Sequence, residues 1–229
     1  MHRNKTEPAA FLQKAVAETI WYGIRLLFKY WLHLSCSGTQ NLPTDGPYLL
    51  AANHTSHLDS VAVSLSLREF KKTLYSLGAK DYFANNSYKQ LFFSSFFHVI
   101  PFNRRGHFIA GLRRCQSLIT SETPILLFPE GTRSVTGELQ AFKNGLGLIA
   151  LNLGVPVVPV YINGAFQAMP KGRYLPKRQR LHIVYGKPVS IKPYQKQQAA
   201  GIDNKLIYRE ITQTISIAVK QLQRDFIPV

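Results

Sequence analysis

The sequence has 229 residues, 45% of them hydrophobic, and carries 28 Lys and Arg against 12 Asp and Glu, a formal net charge of +16. That length fits one α/β domain with a small appended element. The charge points to an anionic partner: nucleic acid, an anionic membrane surface or phosphorylated substrates. Two cysteines, Cys36 and Cys115, exclude a disulfide framework and a cysteine metal cluster, and fit a reducing compartment.

Residues 1–7 are polar. From Pro8 to about Leu34 the chain reads as a helix rich in Phe, Trp, Tyr and Leu, with Lys14, Glu18, Arg25 and Lys29 within an arc of about 60°. Its apolar sector is wide, and Trp21, Tyr22, Tyr30 and Trp31 suit a headgroup boundary, so an amphipathic helix lying at a membrane interface is expected. The first residues lack the succession of a signal peptide, and no uncharged run of about 18 residues is long enough to cross a bilayer. The expectation is a peripheral protein on the cytoplasmic face of a membrane. Residues 1–40 are taken as the membrane-associating segment and 41–229 as the domain that follows.

Residues 35–47 read as a turn-rich connector (Gly38, Pro43, Asp45, Gly46), leading to a first core strand at 48–52. Helices are predicted over 58–70, 81–97, 107–121, 144–153 and 204–224, and strands over 73–79, 99–103, 124–128, 157–162 and 181–185. A polar, basic stretch fills 171–180. Strand alternates with helix from residue 48 onward, so the fold class is α/β. The expected architecture is a mostly parallel central sheet with helices on both faces, preceded by the interfacial helix.

Open α/β sheets place their chemistry at the carboxyl ends of strands, and three such ends carry suitable groups. After the first strand come His54, His57 and Asp59. A neutral imidazole takes a proton from a hydroxyl near neutral pH, and a carboxylate on its other nitrogen sets tautomer and orientation. Five residues of continuous helix would put His54 and Asp59 ~140° apart, so the pair requires His54 in the turn and Asp59 inside the helix. The plainer reading is a helix start, with Ser56 as N-cap and Asp59 favouring the dipole. Arg104 and Arg105 follow a second strand. Glu130, Gly131, Thr132 and Arg133 follow a third, with Lys143 downstream. A guanidinium fork, backbone N–H groups free to approach, a hydroxyl and an ammonium together suit a phosphate.

Four blocks occur in order: Asn53-His54-x-Ser56-x-x-Asp59, Phe102-x-Arg104, Phe128-Pro129-Glu130-Gly131-Thr132-Arg133-Ser134, and residues 155–162, Val-Pro-Val-Val-Pro-Val-Tyr-Ile. Together they resemble the 1-acylglycerol-3-phosphate O-acyltransferases, a family of glycerolipid and lysophospholipid acyltransferases. The family's second block often opens with Gly three residues before the Phe, where this chain has Val99.

The resemblance implies direct transfer of a fatty acyl group from an acyl thioester to the hydroxyl of a lysophosphatidic-acid-like acceptor, in phospholipid biosynthesis. It makes His54 the general base and Asp59 its orienting partner. Arg104, Glu130, Gly131, Thr132, Arg133 and Lys143 would hold the acceptor's phosphate. Acyl-CoA or acyl carrier protein would be the co-substrate; a thioester is electrophilic enough to need no metal, and no cofactor is expected. The wide interfacial helix and the +16 charge fit an anionic membrane surface as partner, and no nucleic acid is expected. Glycerol-3-phosphate, a lysophospholipid or a lyso-amino-acid lipid are alternative acceptors for the same chemistry.

Other readings have less behind them. His54, His57 and Asp59 lack a further ligand at metal-binding spacing. Gly145-x-Gly147-x-x-Ala150 matches a dinucleotide fingerprint but falls inside a helix, and no G-x-S-x-G exists. A non-catalytic module binding nucleic acid or an anionic surface could use 171–180, although its basic residues have no regular aromatic interleaving.

Overall fold

The computed structural model describes residues 7–68, 73–79, 99–102, 112–113, 115–117 and 123–226. Helix α1 (Glu7–Leu26) continues into one π-helical turn, Leu27–Trp31, and leads to strand β1 (Ser35–Ser37). Then come β2 (Leu49–Ala52), α2 (Leu58–Arg68), β3 (Tyr75–Ala79), β4 (Val99–Phe102) and β5 (Ile125–Leu127). The remainder is α3 (Gly145–Leu153), β6 (Val157–Asn163), α4 (Ala165–Ala168), β7 (His182–Tyr185), α5 (Lys192–Ala199) and α6 (Asn204–Asp225). The helix predicted over 81–97 lies outside the described residues. Of the one predicted over 107–121, residues 112–113 and 115–117 are described and helical.

The strands form one sheet in the order β1-β7-β6-β2-β5-β3-β4. Every neighbouring pair is parallel except β6 with β7, so the expected mostly parallel α/β sheet is what forms. β2 lies at its centre, and all four of its side chains, Leu49, Leu50, Ala51 and Ala52, are fully buried. That is why the segment reads as a continuous apolar run rather than an alternation. Leu50 and Ala52 join the core on one face with α1, α2 and α4; Leu49 and Ala51 join the core on the other with α3, α5 and α6.

α6 shows how the second face is held. Ile207, Ile211, Ile215 and Val219, four residues apart, are all fully buried, and each contributes roughly 1.5–3 kcal/mol by leaving water. Asp203 caps the helix by accepting from the Lys205 N–H at 3.0 Å. α3 lies so close to it that a Cβ on Gly147 would stand 2.0 Å from the Tyr208 carbonyl oxygen. The glycine spacing that mimics a dinucleotide fingerprint thus includes a helix-packing contact.

Two expectations need correction. Residues 35–47 are not all connector, because Ser35–Ser37 pairs with His182–Val184 as the sheet's edge strand. The division at residue 40 therefore cuts through the domain. Trp21, Phe28 and Leu32 also belong to the core, so the N-terminal helix is part of the folded unit along one stripe. The rest of its circumference is exposed, with Tyr22 at 64%, Tyr30 at 61% and Trp31 at 46%. No helix among the described residues is long and apolar enough to cross a membrane.

Candidate active site

The chain leaves β2 toward one edge of the sheet, returns through β5, and crosses β2 to start β6 on the other side. The carboxyl ends of β2 and β5 therefore flank the point where the winding changes side, the usual site of a ligand crevice in such sheets. Their register pairs Ala51 with Leu127, which brings residues 53–56 beside residues 129–134. The end of β4 lies at the far edge, beyond β5 and β3. At about 4.8 Å per strand that is roughly 14 Å from β2. Arg104 and Arg105, beyond it, lie outside the described residues.

His54 sits in the turn and Asp59 in the first turn of α2, the arrangement that the spacing requires. His54 Nδ1 and Asp59 Oδ2 are 2.9 Å apart. The same Oδ2 accepts from the backbone N–H groups of Thr55 at 2.7 Å and Ser56 at 2.8 Å. Ser56 Oγ accepts in turn from the Leu58 N–H at 3.2 Å. The helix-start interactions and the His54–Asp59 pairing therefore coexist: the capping interactions fix the fully buried Asp59 carboxylate where the imidazole meets it.

The imidazole is held on a second side. Phe128, the residue after β5, stacks on it with ring centroids 3.9 Å apart and planes 15° from parallel. With Nδ1 on the carboxylate and one ring face on Phe128, Nε2 is the nitrogen left to meet a substrate. The side chain is about one-fifth exposed. Upstream, Asn53 locks the turn to β6, donating to the Ile162 carbonyl at 3.0 Å and accepting from the Ile162 N–H at 2.7 Å.

The loop after β5 is bound to the same turn. The His54 N–H donates to Glu130 Oε1 at 2.9 Å, and the Ser134 N–H donates to the His54 carbonyl at 2.8 Å. Glu130 is only 2% exposed. Burial pushes its carboxyl up to about 7, against the opposing pull of the His54 and Gln140 backbone N–H groups. Its role in this geometry is to staple the two loops, which differs from the expected position in a phosphate site. Gly131 differs too. Its N–H is not free, since it donates to the Phe128 carbonyl at 3.0 Å. It adopts φ +76°, and a Cβ there would stand 2.9 Å from Lys143 Nζ. Glycine thus serves the turn and makes room for the ammonium.

Thr132 and Lys143 are exposed and Arg133 is half-buried on this loop. The Lys143 N–H donates to the Pro129 carbonyl at 2.9 Å, anchoring its backbone beside the turn. Of the expected anion-binding residues, these three are the ones on this loop that the structure describes with solvent-accessible polar side chains. Three contributors escaped the sequence reading: Phe128 as the support for the imidazole, Asn53 as the clamp to β6, and Ser56 Oγ, which donates to the Met169 carbonyl at 2.7 Å. The residues were all visible in the motifs, but their partners lie far off in sequence and are brought to them only by the fold. Among the described residues no group of three or more His, Cys, Asp or Glu side chains is arranged to hold a metal ion.

A family profile described as Acyltransferase matches residues 33–163. The chain is 34% identical over 145 residues to the chloroplastic 1-acyl-sn-glycerol-3-phosphate acyltransferase BAT2 of Brassica napus, a match covering 59% of this chain and 38% of that protein. It is 31% identical over 163 residues to the chloroplastic enzyme LPAT1 of Arabidopsis thaliana, covering 67% and 42%. A third protein of the same name, from Chlamydomonas reinhardtii, is 31% identical over 137 residues, covering 59% and 40%. The chain thus spans about two fifths of the length of these relatives. The crystal structure of the 1-acyl-sn-glycerophosphate acyltransferase of Thermotoga maritima superimposes with a TM-score of 0.63 at 21% identity, covering 99% of this chain and 86% of that one. That likeness concerns the fold.

Proposed function

The chain belongs to the acyltransferase family, and from that premise we propose that it transfers a fatty acyl group from an acyl thioester to the hydroxyl of a lysophosphatidic-acid-like acceptor. The observation that carries this reading is the His54–Asp59 pair at 2.9 Å, in a turn bonded to the loop that carries Thr132 and Arg133. With a proton on Nδ1 directed at Asp59, the lone pair is on Nε2. As the acceptor oxygen attacks the thioester carbonyl, Nε2 takes its proton, and Asp59 stabilises the imidazolium that forms. The tetrahedral intermediate collapses with loss of the thiolate, and the imidazolium returns the proton to sulfur. One C–O bond forms and one C–S bond breaks, with no net proton change and no acyl-enzyme.

An alcohol needs a base because its pKa lies far above neutrality, whereas a thioester carbonyl is already electrophilic. Holding both substrates in position supplies much of the remaining acceleration. Arg133 and Lys143 offer a fork and a point charge to the acceptor's phosphate, and Thr132 a hydroxyl; Arg104 is proposed as a further cation. Glu130 and Gly131 act at one remove, by shaping this loop.

The +16 charge and the exposed aromatic residues of α1 and its π-helical turn, Tyr22, Tyr30 and Trp31, support work at the surface of an anionic bilayer. A chain with two cysteines and no disulfide framework fits its cytoplasmic face. Acyl-CoA and acyl carrier protein are both chemically competent donors. The test is acyl transfer by the purified chain in micelles, with palmitoyl- or oleoyl-CoA as donor, lysophosphatidic acid as acceptor and free thiol as signal. Release that requires both acceptor and His54 supports the reading. No release with these donors, with acyl carrier protein, or with the alternative acceptors would overturn it in favour of a non-catalytic surface-binding protein.

A further inference from the structure

The loop between α4 and β7 holds Lys171, Arg173, Lys177, Arg178 and Arg180 and no acidic residue. Such a run is usually a solvated face. Two features set this one apart. At its tip Tyr174 is 94% exposed and Leu175 is 76% exposed, adjacent large side chains that touch almost nothing of their own protein. The tip is also not loose: Arg173 Nε donates to the Leu175 carbonyl at 2.8 Å, and the Arg173 N–H donates to the Pro170 carbonyl at 3.1 Å.

The loop is tied to two other places. Trp31, on the exposed side of the N-terminal helix, donates from Nε1 to the Pro176 carbonyl at 3.2 Å, and the Leu181 N–H donates to the Leu32 carbonyl at 2.9 Å. The end of the N-terminal helix, with exposed Trp31, is therefore joined directly to the loop. On the other side, the Lys177 N–H donates to the Ala168 carbonyl at 2.8 Å, while the next carbonyl, that of Met169, accepts from Ser56 Oγ at 2.7 Å. Ser56 lies in the turn that holds Asp59 against His54.

We propose that this loop is a second membrane anchor. Tyr174 and Leu175 enter the headgroup boundary of an anionic bilayer, and Lys177, Arg178 and their basic neighbours bind the lipid phosphates. The loop then fixes the height and tilt of the His54 turn above the lipid. The proposal rests on the reading of the chain as a membrane-surface enzyme and names the element that docks it. An apolar tip ringed by cations is what an anionic interface recognises. An acidic protein such as a carrier would meet the cations but would leave Tyr174 and Leu175 without a hydrophobic host.

The test uses the full chain and two double variants, Lys177→Gln/Arg178→Gln and Tyr174→Ser/Leu175→Ser. All four side chains are exposed, so unchanged melting temperatures are expected. Binding is measured by co-sedimentation with vesicles of phosphatidylcholine mixed with phosphatidylglycerol, and of phosphatidylcholine alone. Removing the two charges should weaken binding to the anionic vesicles by about fivefold per charge, and should matter little on the neutral ones. Removing the tip should weaken the binding that survives high salt. Transfer to a long-chain acceptor in vesicles should fall in both variants, while transfer to a short-chain, freely dissolved acceptor stays at the wild-type rate.

Vesicle binding equal to wild type in both variants would overturn the anchor. So would unchanged vesicle binding with lost affinity for acyl carrier protein, which would make the loop a protein-docking site. If the variants lose vesicle binding but the wild type shows no acyl transfer, the anchor stands and the catalytic reading fails.

Discussion

The backbone N–H of His54 donates to Glu130 Oε1 at 2.9 Å, so the loop after β5 holds the turn after β2 through a carboxyl that burial has pushed up to about 7 from an ordinary 4.5. A carboxyl that binds its proton more tightly in the folded state stabilises folding fully below its unfolded pKa, and that stabilisation is lost as pH rises toward the folded pKa. A shift of this size corresponds to about 3 kcal/mol. Glu130→Gln keeps an acceptor for the His54 N–H and removes the titration. Denaturant melts at pH 5 and pH 8 should show wild type losing stability relative to the variant as pH rises. A difference between the two that does not change with pH would mean that Glu130 titrates normally.

Asp59 Oδ2 carries three hydrogen bonds, from His54 Nδ1 and from the Thr55 and Ser56 N–H groups. Asp59→Asn can still accept from the two backbone donors, so the turn should hold. It loses the charge that orients the imidazole and stabilises its protonated form. We expect kcat to fall roughly a thousandfold or more, with little change in the KM of either substrate. His54→Ala should abolish turnover and leave the melting temperature near wild type. A His54→Ala protein that still turns over would remove the general base from the mechanism.

How much of this was legible before the structure depends on the element. β2 and α2 were visible because a doubly buried strand must be apolar throughout, and because a cap and a first-turn acid announce a helix. Ser35–Ser37 was not visible: three residues beside Gly38 look like a turn, and only pairing with β7 makes them a strand. α5 was missed for a related reason. Its sequence is polar throughout, and it buries little besides Tyr194.

The width of the apolar arc on α1 could be read from the helical spacing. Its division between core and solvent could not, because Trp21 and Tyr22 differ only in which neighbour they meet. The His54–Asp59 pair was legible from local spacing, whereas the burial of Glu130 follows from the pairing of Ala51 with Leu127 across two strands.

Arg133 lies on the loop bonded to the His54 turn, and Lys143 holds its ammonium over Gly131 of that loop. Each should act on the acceptor's phosphate and not on the donor. A hydrogen bond to a charged group contributes about 1.5–3 kcal/mol, so Arg133→Ala and Lys143→Ala should each raise the acceptor's KM by roughly tenfold to a hundredfold. Steady-state kinetics with each substrate varied in turn would read this directly. Equal effects on the KM values of donor and acceptor would argue against a phosphate role. Gly131→Ala should resemble Lys143→Ala, because its methyl group would both strain the φ of +76° and displace the ammonium.

Gly147 tests the packing of α3 on α6, on the sheet face opposite α2. Its backbone N–H donates to Thr212 Oγ1 at 3.1 Å, and an added Cβ would stand 2.0 Å from the Tyr208 carbonyl oxygen. The obstacle is backbone, so the helices themselves must separate, and the Thr212 bond lengthens as they do. Overpacking of this kind costs about 1–3 kcal/mol, which for a domain of this size lowers the melting temperature by roughly 2–12 °C. Thr212→Val removes the bond alone and should cost less, about 1 kcal/mol. The double variant should lose less than the sum of the singles, since the first change already breaks what the second removes. Below the transition kcat should be unaffected, because His54 and Asp59 stand on other elements. A Gly147→Ala protein with an unchanged melting temperature and a lowered kcat would mean that the glycine serves a ligand rather than a helix.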